Sequence, residues 1–290
     1  MAHRIAWLDV FAERPLAGNA LAVVDGADGV DDQTMLAFAK EMDLSETTFV
    51  QSPDAEGADY RNRIFTVATE LPFAGHPSLG TAVAVARWRG LEEASFVQQT
   101  GAGLQPIEVR SEGRGWRAEM VQNEPEFGSE LAPEPLMHAA GLNPAEAHQE
   151  LAPQVVSTGL PTAIVPLSEP DSLERASPEF AAIDAALADG EPGVGETPNF
   201  YLVWADLDAG EARARMFATI VPGGEDPATG SAAGPLGAYL AERAGLERVR
   251  IRQGEEIGRP SVLEVEMVEG RPRVGGGVMP VIDGEVSLPG

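Results

Sequence analysis

One order of elements is written twice in this sequence, and that duplication limits the folds open to the chain more than any other feature. Each half opens with two strand-like runs joined by a turn carrying Gly: Ile5 to Phe11 and Leu21 to Val24, then Gln154 to Ser157 and Thr162 to Leu167. A helical period follows, Gln33 to Met42 in one half and Phe180 to Leu187 in the other. Two further strands come next. The first is Ser45 to Val50, matched by Glu196 to Val203; the second is Arg63-Ile64-Phe65-Thr66, matched by Arg215-Met216-Phe217-Ala218. A turn with Glu and Pro then feeds a helix of small residues, Leu79 to Ala86 and Pro235 to Ala241. The halves end in strands, Ser95 to Thr100, Ile107 to Arg110 and Trp116 to Met120 against Val249 to Gln253, Ser261 to Met267 and Pro272 to Val274. Small side chains let backbones approach, and a helix apolar most of the way round is a buried one. The expectation is an α+β fold of two pseudo-symmetric lobes, each a β-rich layer wrapped around a central helix. The Glu- and Pro-rich stretch Asn123 to Pro135 reads as the linker. The lobes are placed at 1–122, with 279–290 able to return to the first, and at 123–278.

Each central helix is preceded by a matching dipeptide, Gly75-His76 and Gly230-Ser231, 155 residues apart (231 − 76). A helix start presents unpaired N–H groups and the positive end of its dipole, so it attracts anions. If a pseudo-twofold relates the halves, both starts can face one carboxylate. That arrangement would let a chain of formal charge −26 bind an anion without an arginine clamp. The acid–base candidates beside such a cleft are Glu46, His76, Glu225 and Asp226. Glu46 leads into a buried run, where partial desolvation suits a carboxylate to proton transfer. Taken alone, each signal is ordinary. Gly-His-Pro is a turn, Asp-Pro begins one, and Ser after Gly is an N-cap.

Composition narrows the function classes. The charge of −26, with a pI near 4.4, argues against nucleic acid and anionic membranes as partners. The only lysine is Lys40, and an acidic surface almost free of Lys suits solubility in high salt. Cysteine is absent, which excludes disulfides and thiolate catalysis. No His-x-x-x-His spacing, P-loop or complete dinucleotide fingerprint is present, so neither a metal nor another cofactor is expected. The opening residues lack the apolar core of a secretory signal, and a cytoplasmic protein is expected.

Taken together, these blocks resemble the PhzF (phenazine biosynthesis-like) family, which has the diaminopimelate epimerase-like fold. The resemblance runs through Asp9-Val10-Phe11 with Gly18-Asn19, Ser45-Glu46-Thr47, and Glu70-Leu71-Pro72-Phe73-Ala74-Gly75-His76-Pro77. It continues through Ser157-Thr158-Gly159-Leu160-Pro161, Glu225-Asp226-Pro227-Ala228-Thr229-Gly230-Ser231-Ala232, and Gln253-Gly254 with Gly258-Arg259-Pro260-Ser261. Ala20 departs from the Pro that commonly follows Gly-Asn. The resemblance implies a homodimeric, cofactor-independent isomerase that shifts a proton on a small carboxylate-bearing substrate. Glu46 would be the general acid/base, with His76 and Asp226 in the catalytic set. Gly75, Gly230, Ser231 and Asn19 would bind substrate. The epimerases of this fold that use two cysteines are a different chemistry, closed to this chain. Two other readings stay open: a racemase or epimerase of a small amino or hydroxy acid, and a non-catalytic small-acid binder.

Overall fold

The computed structural model describes residues 2–188, 198–219 and 221–289. The chain divides into two compact units, Met1–Val121 with Gly275–Gly290, and Gln122–Val274. The Glu196-Thr197 part of the expected strand lies outside the described residues.

In the first unit β1 (Ala2–Val10) pairs antiparallel with β2 (Asn19–Val24), and β2 pairs parallel with β3 (Glu46–Gln51) across helix α1 (Asp32–Met42). Asp31 caps α1, its side chain accepting from the Thr34 amide at 2.7 Å. Next, β4 (Tyr60–Phe65) pairs with β3, and the two-residue β5 (Glu70–Leu71) folds back on β4. The chain then enters helix α2 (Gly75–Trp88) and leaves it through β6 (Glu93–Thr100), β7 (Gly103–Glu112) and β8 (Gly115–Val121). β6 lies parallel to β4, and β6, β7 and β8 form a meander.

α2 is the axis of this unit. It packs against β1, β2, β3, β4, β6, β7 and β8, and every residue from Gly75 to Ala86 is buried. Its alanines and glycines have a steric cause. A Cβ added to Gly80 would lie 2.5 Å from Leu21 Cδ2 and 2.8 Å from Val10 Cγ2, so the strands approach the helix backbone itself. β3 is covered on both faces, which is why it shows no alternation of burial. Thr48 points to α2, where its hydroxyl lies 2.8 Å from that of Thr81, while Phe49 points the other way into an edge-on stack with Phe38 and Phe65. That outer layer, with Met35, Ala39, Val24 and Leu288, is a second core beneath α1.

The second unit repeats this plan. β9 (Glu126–Glu130) lies within the stretch read as a linker; its five residues are exposed, Phe127 among them, but its backbone pairs with β10 (Gln154–Ser157). Helix α3 (Pro133–Ala139) comes between them. β10 pairs antiparallel with β11 (Pro161–Pro166). Helices α4 (Asp171–Arg175) and α5 (Phe180–Leu187) lead to β12 (Asn199–Asp206), which is parallel to β11. β13 (Glu211–Phe217) and the two-residue β14 (Glu225–Asp226) follow, then α6 (Gly230–Ala244), β15 (Arg248–Gln253) parallel to β13, and β16 (Ser261–Val268). The sequence of antiparallel and parallel pairings is the same, pair by pair, as in the first unit. Here α6 takes the place of α2 and packs on β10, β11, β15 and β16. It begins five residues before Pro235, which sits inside it without breaking it. The outer core of this unit gathers Leu136, Met137, Leu173, Ile183, Phe200 and Phe217 beneath α3, α4 and α5.

The last strand, β17 (Arg271–Ser287), passes back into the first unit, where it pairs with β1 and β8. Among the described residues this closes a ring of β1, β2, β3, β4, β6, β7, β8 and β17 around α2. The architecture is therefore the expected α+β arrangement of β-layers wrapped around central helices. No helix among the described residues is long and apolar enough to cross a membrane.

Candidate active site

In the first unit three of the singled-out residues converge. Glu46 opens β3, on the same face as Thr48 by the two-residue period of a strand, and so points toward α2. His76 is the second residue of α2, and Asn19 opens β2. Glu46 Oε2 is 3.4 Å from His76 Nε2, and Asn19 Nδ2 is 3.3 Å from His76 Nδ1. His76 and Asn19 are buried; the Glu46 side chain retains 15% exposure. The carboxylate therefore has one buried end and a partial opening outward.

Gly18 is what brings Asn19 into place. Its φ is +67°, and a Cβ there would fall 2.3 Å from the Val10 carbonyl oxygen. Only glycine can turn the β1–β2 connection at that point without strain.

Burial pushes the His76 imidazole from its ordinary 6.5 down to about 3, so the ring is neutral at physiological pH. A neutral imidazole has one N–H and one acceptor nitrogen. With the Asn19 amide oriented to donate to Nδ1, the proton is placed on Nε2, facing Glu46. The ring thus turns its N–H side toward the carboxylate at 3.4 Å, outside hydrogen-bond geometry, without adding a positive charge.

The start of α2 adds a second property. Its N-cap residue is Ala74, no side chain caps it, and its first turn carries no acidic residue. The positive end of a fourteen-residue helix dipole therefore lies beside Glu46 and His76 without an internal counter-charge.

In the second unit Asp226, Gly230 and Ser231 lie at the start of α6, which also lacks a side-chain cap and an acidic first turn. Asp226 is buried, and its Oδ2 accepts from the Thr229 hydroxyl at 2.6 Å. Glu225 has a different employment. It makes a two-pronged ion pair with Arg215, Nε to Oε1 at 2.9 Å and Nη2 to Oε2 at 2.7 Å, both side chains being about nine-tenths buried. Arg215 Nη1 also donates to the carbonyls of Leu173 and Ala176 at 2.7 and 3.0 Å, tying α4 to β13 and β14. Glu225 thus belongs to a clamp and is not free for acid–base work.

The first unit has the same clamp. Arg63 holds Glu70 with Nε to Oε1 at 2.8 Å and Nη2 to Oε2 at 2.6 Å, and reaches Asp32 in the first turn of α1 at 2.7 Å. Each guanidinium also lies over the ring two residues on, Arg63 on Phe65 at 5.2 Å and Arg215 on Phe217 at 4.8 Å. In both units the clamped Glu precedes the first residue of the central helix by five positions. Sequence reading placed these arginines in the matched strands and gave them no role. The repeated Arg-x-Phe with a downstream Glu was the signal available.

A family model described as phenazine biosynthesis-like protein, PhzC-PhzF, matches residues 8–284. The chain belongs to the PhzF family. This PhzF-family chain is 37% identical over 267 residues to the trans-2,3-dihydro-3-hydroxyanthranilate isomerase of Pseudomonas aeruginosa, covering 89% of this chain and 88% of that one. A solved structure described as a predicted epimerase from Pseudomonas aeruginosa matches with a TM-score of 0.82 at 36% identity, over 98% of this chain and 99% of that one. The PhzF-family phenazine biosynthesis protein of Bacillus anthracis matches with a TM-score of 0.84 at 28% identity, over 99% of each chain. This member of the family is thus an isomerase with a fold of the epimerase type.

Proposed function

We propose that this protein is a cofactor-independent isomerase that shifts a proton within a small carboxylate-bearing substrate, with Glu46 as the general acid/base. The observation that carries this reading is the Glu46 carboxylate held 3.4 Å from a neutral, buried imidazole at the uncapped start of α2. A proton carrier must sit where its charge can change at low cost. The open start of α2 sets a positive pole beside this carboxylate, in a pocket mostly closed to water.

The step is balanced within the site. A substrate C–H bond breaks as an O–H bond forms on Glu46, and the electron pair delocalises into the substrate's conjugated system. The O–H formed on Glu46, which keeps 15% exposure, exchanges with solvent; Glu46 then delivers a proton to another carbon and its carboxylate is regenerated. Backbone amides at the helix start, Gly75 and His76, suit the developing negative charge. Asp226, Gly230 and Ser231 would serve the substrate as their motif does in the resemblance above, and Asn19 would act through His76.

The name of the Pseudomonas relatives makes trans-2,3-dihydro-3-hydroxyanthranilate the first compound to test, within a panel of small amino and aromatic acids. Wild-type protein in deuterium oxide should incorporate solvent deuterium into a panel member and isomerise it. Glu46→Gln keeps the shape and removes the proton carrier, so turnover should fall by about 10³-fold or more while ligand binding persists. Undiminished turnover in Glu46→Gln would refute the assignment. Loss of optical activity at a stereocentre, in place of a shift, would favour the racemase reading. Sedimentation velocity tests the homodimer.

A further inference from the structure

The Gln253-Gly254 pair is a motif to which the proposed reaction gives no part. In the structure it lies at the end of β15, next to the block that carries Asp226. Gly254 has φ +78°, and a Cβ there would fall 2.6 Å from the Pro227 carbonyl oxygen, so the β15 backbone rests directly against the Asp-Pro turn. The Gln253 side chain is buried and fills each of its four hydrogen-bonding positions. Nε2 donates to the Asp226 backbone carbonyl at 2.8 Å and to the Thr229 hydroxyl at 3.0 Å. Oε1 accepts from the Tyr201 hydroxyl at 2.9 Å and from the Thr229 amide at 3.4 Å. Tyr201 is itself fully buried.

The backbone partners settle the orientation of this amide. Turned over, Oε1 would face the Asp226 carbonyl and Nε2 would face the Thr229 N–H, two mismatches in a buried site. The Thr229 hydroxyl must therefore accept from Gln253, and its single proton is left to point at Asp226 Oδ2, 2.6 Å away. Thr229 is also the N-cap residue of α6, where a threonine ordinarily turns its oxygen to the amides of the first helical turn. Here it makes no such bond. The hydroxyl has been diverted from the helix to the carboxylate.

We propose that Gln253 and Tyr201 are positioning residues. By orienting the Thr229 hydroxyl they hold Asp226 as a hydrogen-bond acceptor in one rotamer, and they keep the start of α6 uncapped for a substrate anion. The first unit reaches the same open helix start by another means, with an alanine at the N-cap. This inference rests on the proposed function, in which Asp226 and the α6 start serve the substrate.

The test is steady-state kinetics on whichever panel acid takes up deuterium with the wild type. Gln253→Met keeps the side-chain volume and frees the Thr229 hydroxyl. It should lower kcat/KM by about tenfold or more, the loss expected when a hydrogen bond to a charged group is released. Tyr201→Phe, the milder variant, should lower it in the same direction by a smaller factor. Because both act through Thr229, the Tyr201→Phe effect should vanish in the Gln253→Met background, and Thr229→Val should match Gln253→Met. Circular dichroism and melting checks establish that each variant is folded. If Gln253→Met fails to fold, Tyr201→Phe and Thr229→Val carry the same comparison. A lowered melting temperature with kcat and KM unchanged, or additive effects on kcat/KM, would mean that the network is only structural and would overturn the proposal. Activity that survives Glu46→Gln refutes the proposed function instead. A wild type that exchanges no panel acid removes that reading and this inference with it.

Discussion

The neutral imidazole of His76 makes the stability of the protein depend on pH in a way that can be calculated in advance. In the unfolded chain a histidine takes up a proton near 6.5, whereas burial in the fold lowers the His76 value to about 3. Between those two values the unfolded state binds the proton and the folded state does not. Protonation therefore favours unfolding: the contribution of this group is intact above pH 6.5 and is lost as pH falls toward 3. The loss from this one residue is about 2 kcal/mol at pH 5 and about 4 kcal/mol at pH 3. Carboxylates also titrate in this range, so the wild type must be compared with His76→Gln, which removes the imidazole and leaves the carboxylates of both proteins in place. Urea unfolding of both proteins at pH 7 and pH 5 should show the wild type losing about 2 kcal/mol more than the variant. The imidazole resonance of His76 should meanwhile stay in its neutral position down to pH 5. Equal losses would refute the reasoning. A wild type that gains on the variant as the solution is acidified would show that Glu46 holds the ring protonated, which is the opposite assignment of charge.

Three other outcomes follow from features already described. Arg215→Met leaves Glu225 buried without its partner and should cost about 3–5 kcal/mol of stability, whereas Arg215→Met with Glu225→Leu should recover most of it, as read by chemical denaturation. Gly18→Ala forces a Cβ against the Val10 carbonyl and displaces Asn19; kcat/KM should fall by about tenfold with secondary structure retained by circular dichroism. Finally, a chain of charge −26 repels itself, and screening should relieve it: the melting temperature should rise by about 5 °C or more between low and molar NaCl, while a flat or falling curve would count against a salt-adapted surface.

The duplicated plan was legible because the elements that carry it are written in local chemistry. Gly and Pro mark the turns, and the small residues of α2 and α6 announce enclosure. β9 was not legible. Glu126-Phe127-Gly128-Ser129-Glu130 is exposed along its length, so it has no alternation of apolar residues, and only its backbone pairing to β10 makes it a strand. The central helices begin earlier than their apolar runs suggested, because the motif residues Gly75, His76 and Gly230 are themselves the first turns. Of the candidate residues, the sequence could point to Glu46 and His76 separately, but their approach depends on β3 and α2 meeting across 30 positions (76 − 46), which no local pattern encodes. The Tyr201–Gln253–Thr229 chain is hidden for the same reason. A buried glutamine and a buried tyrosine look like core residues until their partners are known.

The ring around α2 is completed by a strand from the far end of the chain, and this has a consequence for synthesis. While a ribosome is still making the second unit, β1 and β8 have no neighbour on one side, and the first barrel stands open like an unfastened cuff. The later unit can finish before the earlier one. Any shortening that removes residues 275–287 leaves two raw sheet edges flanking a hydrophobic helix. Such a fragment should clump, whereas joining 275–287 ahead of residue 2 through a short linker should let the first barrel form as soon as β8 is made.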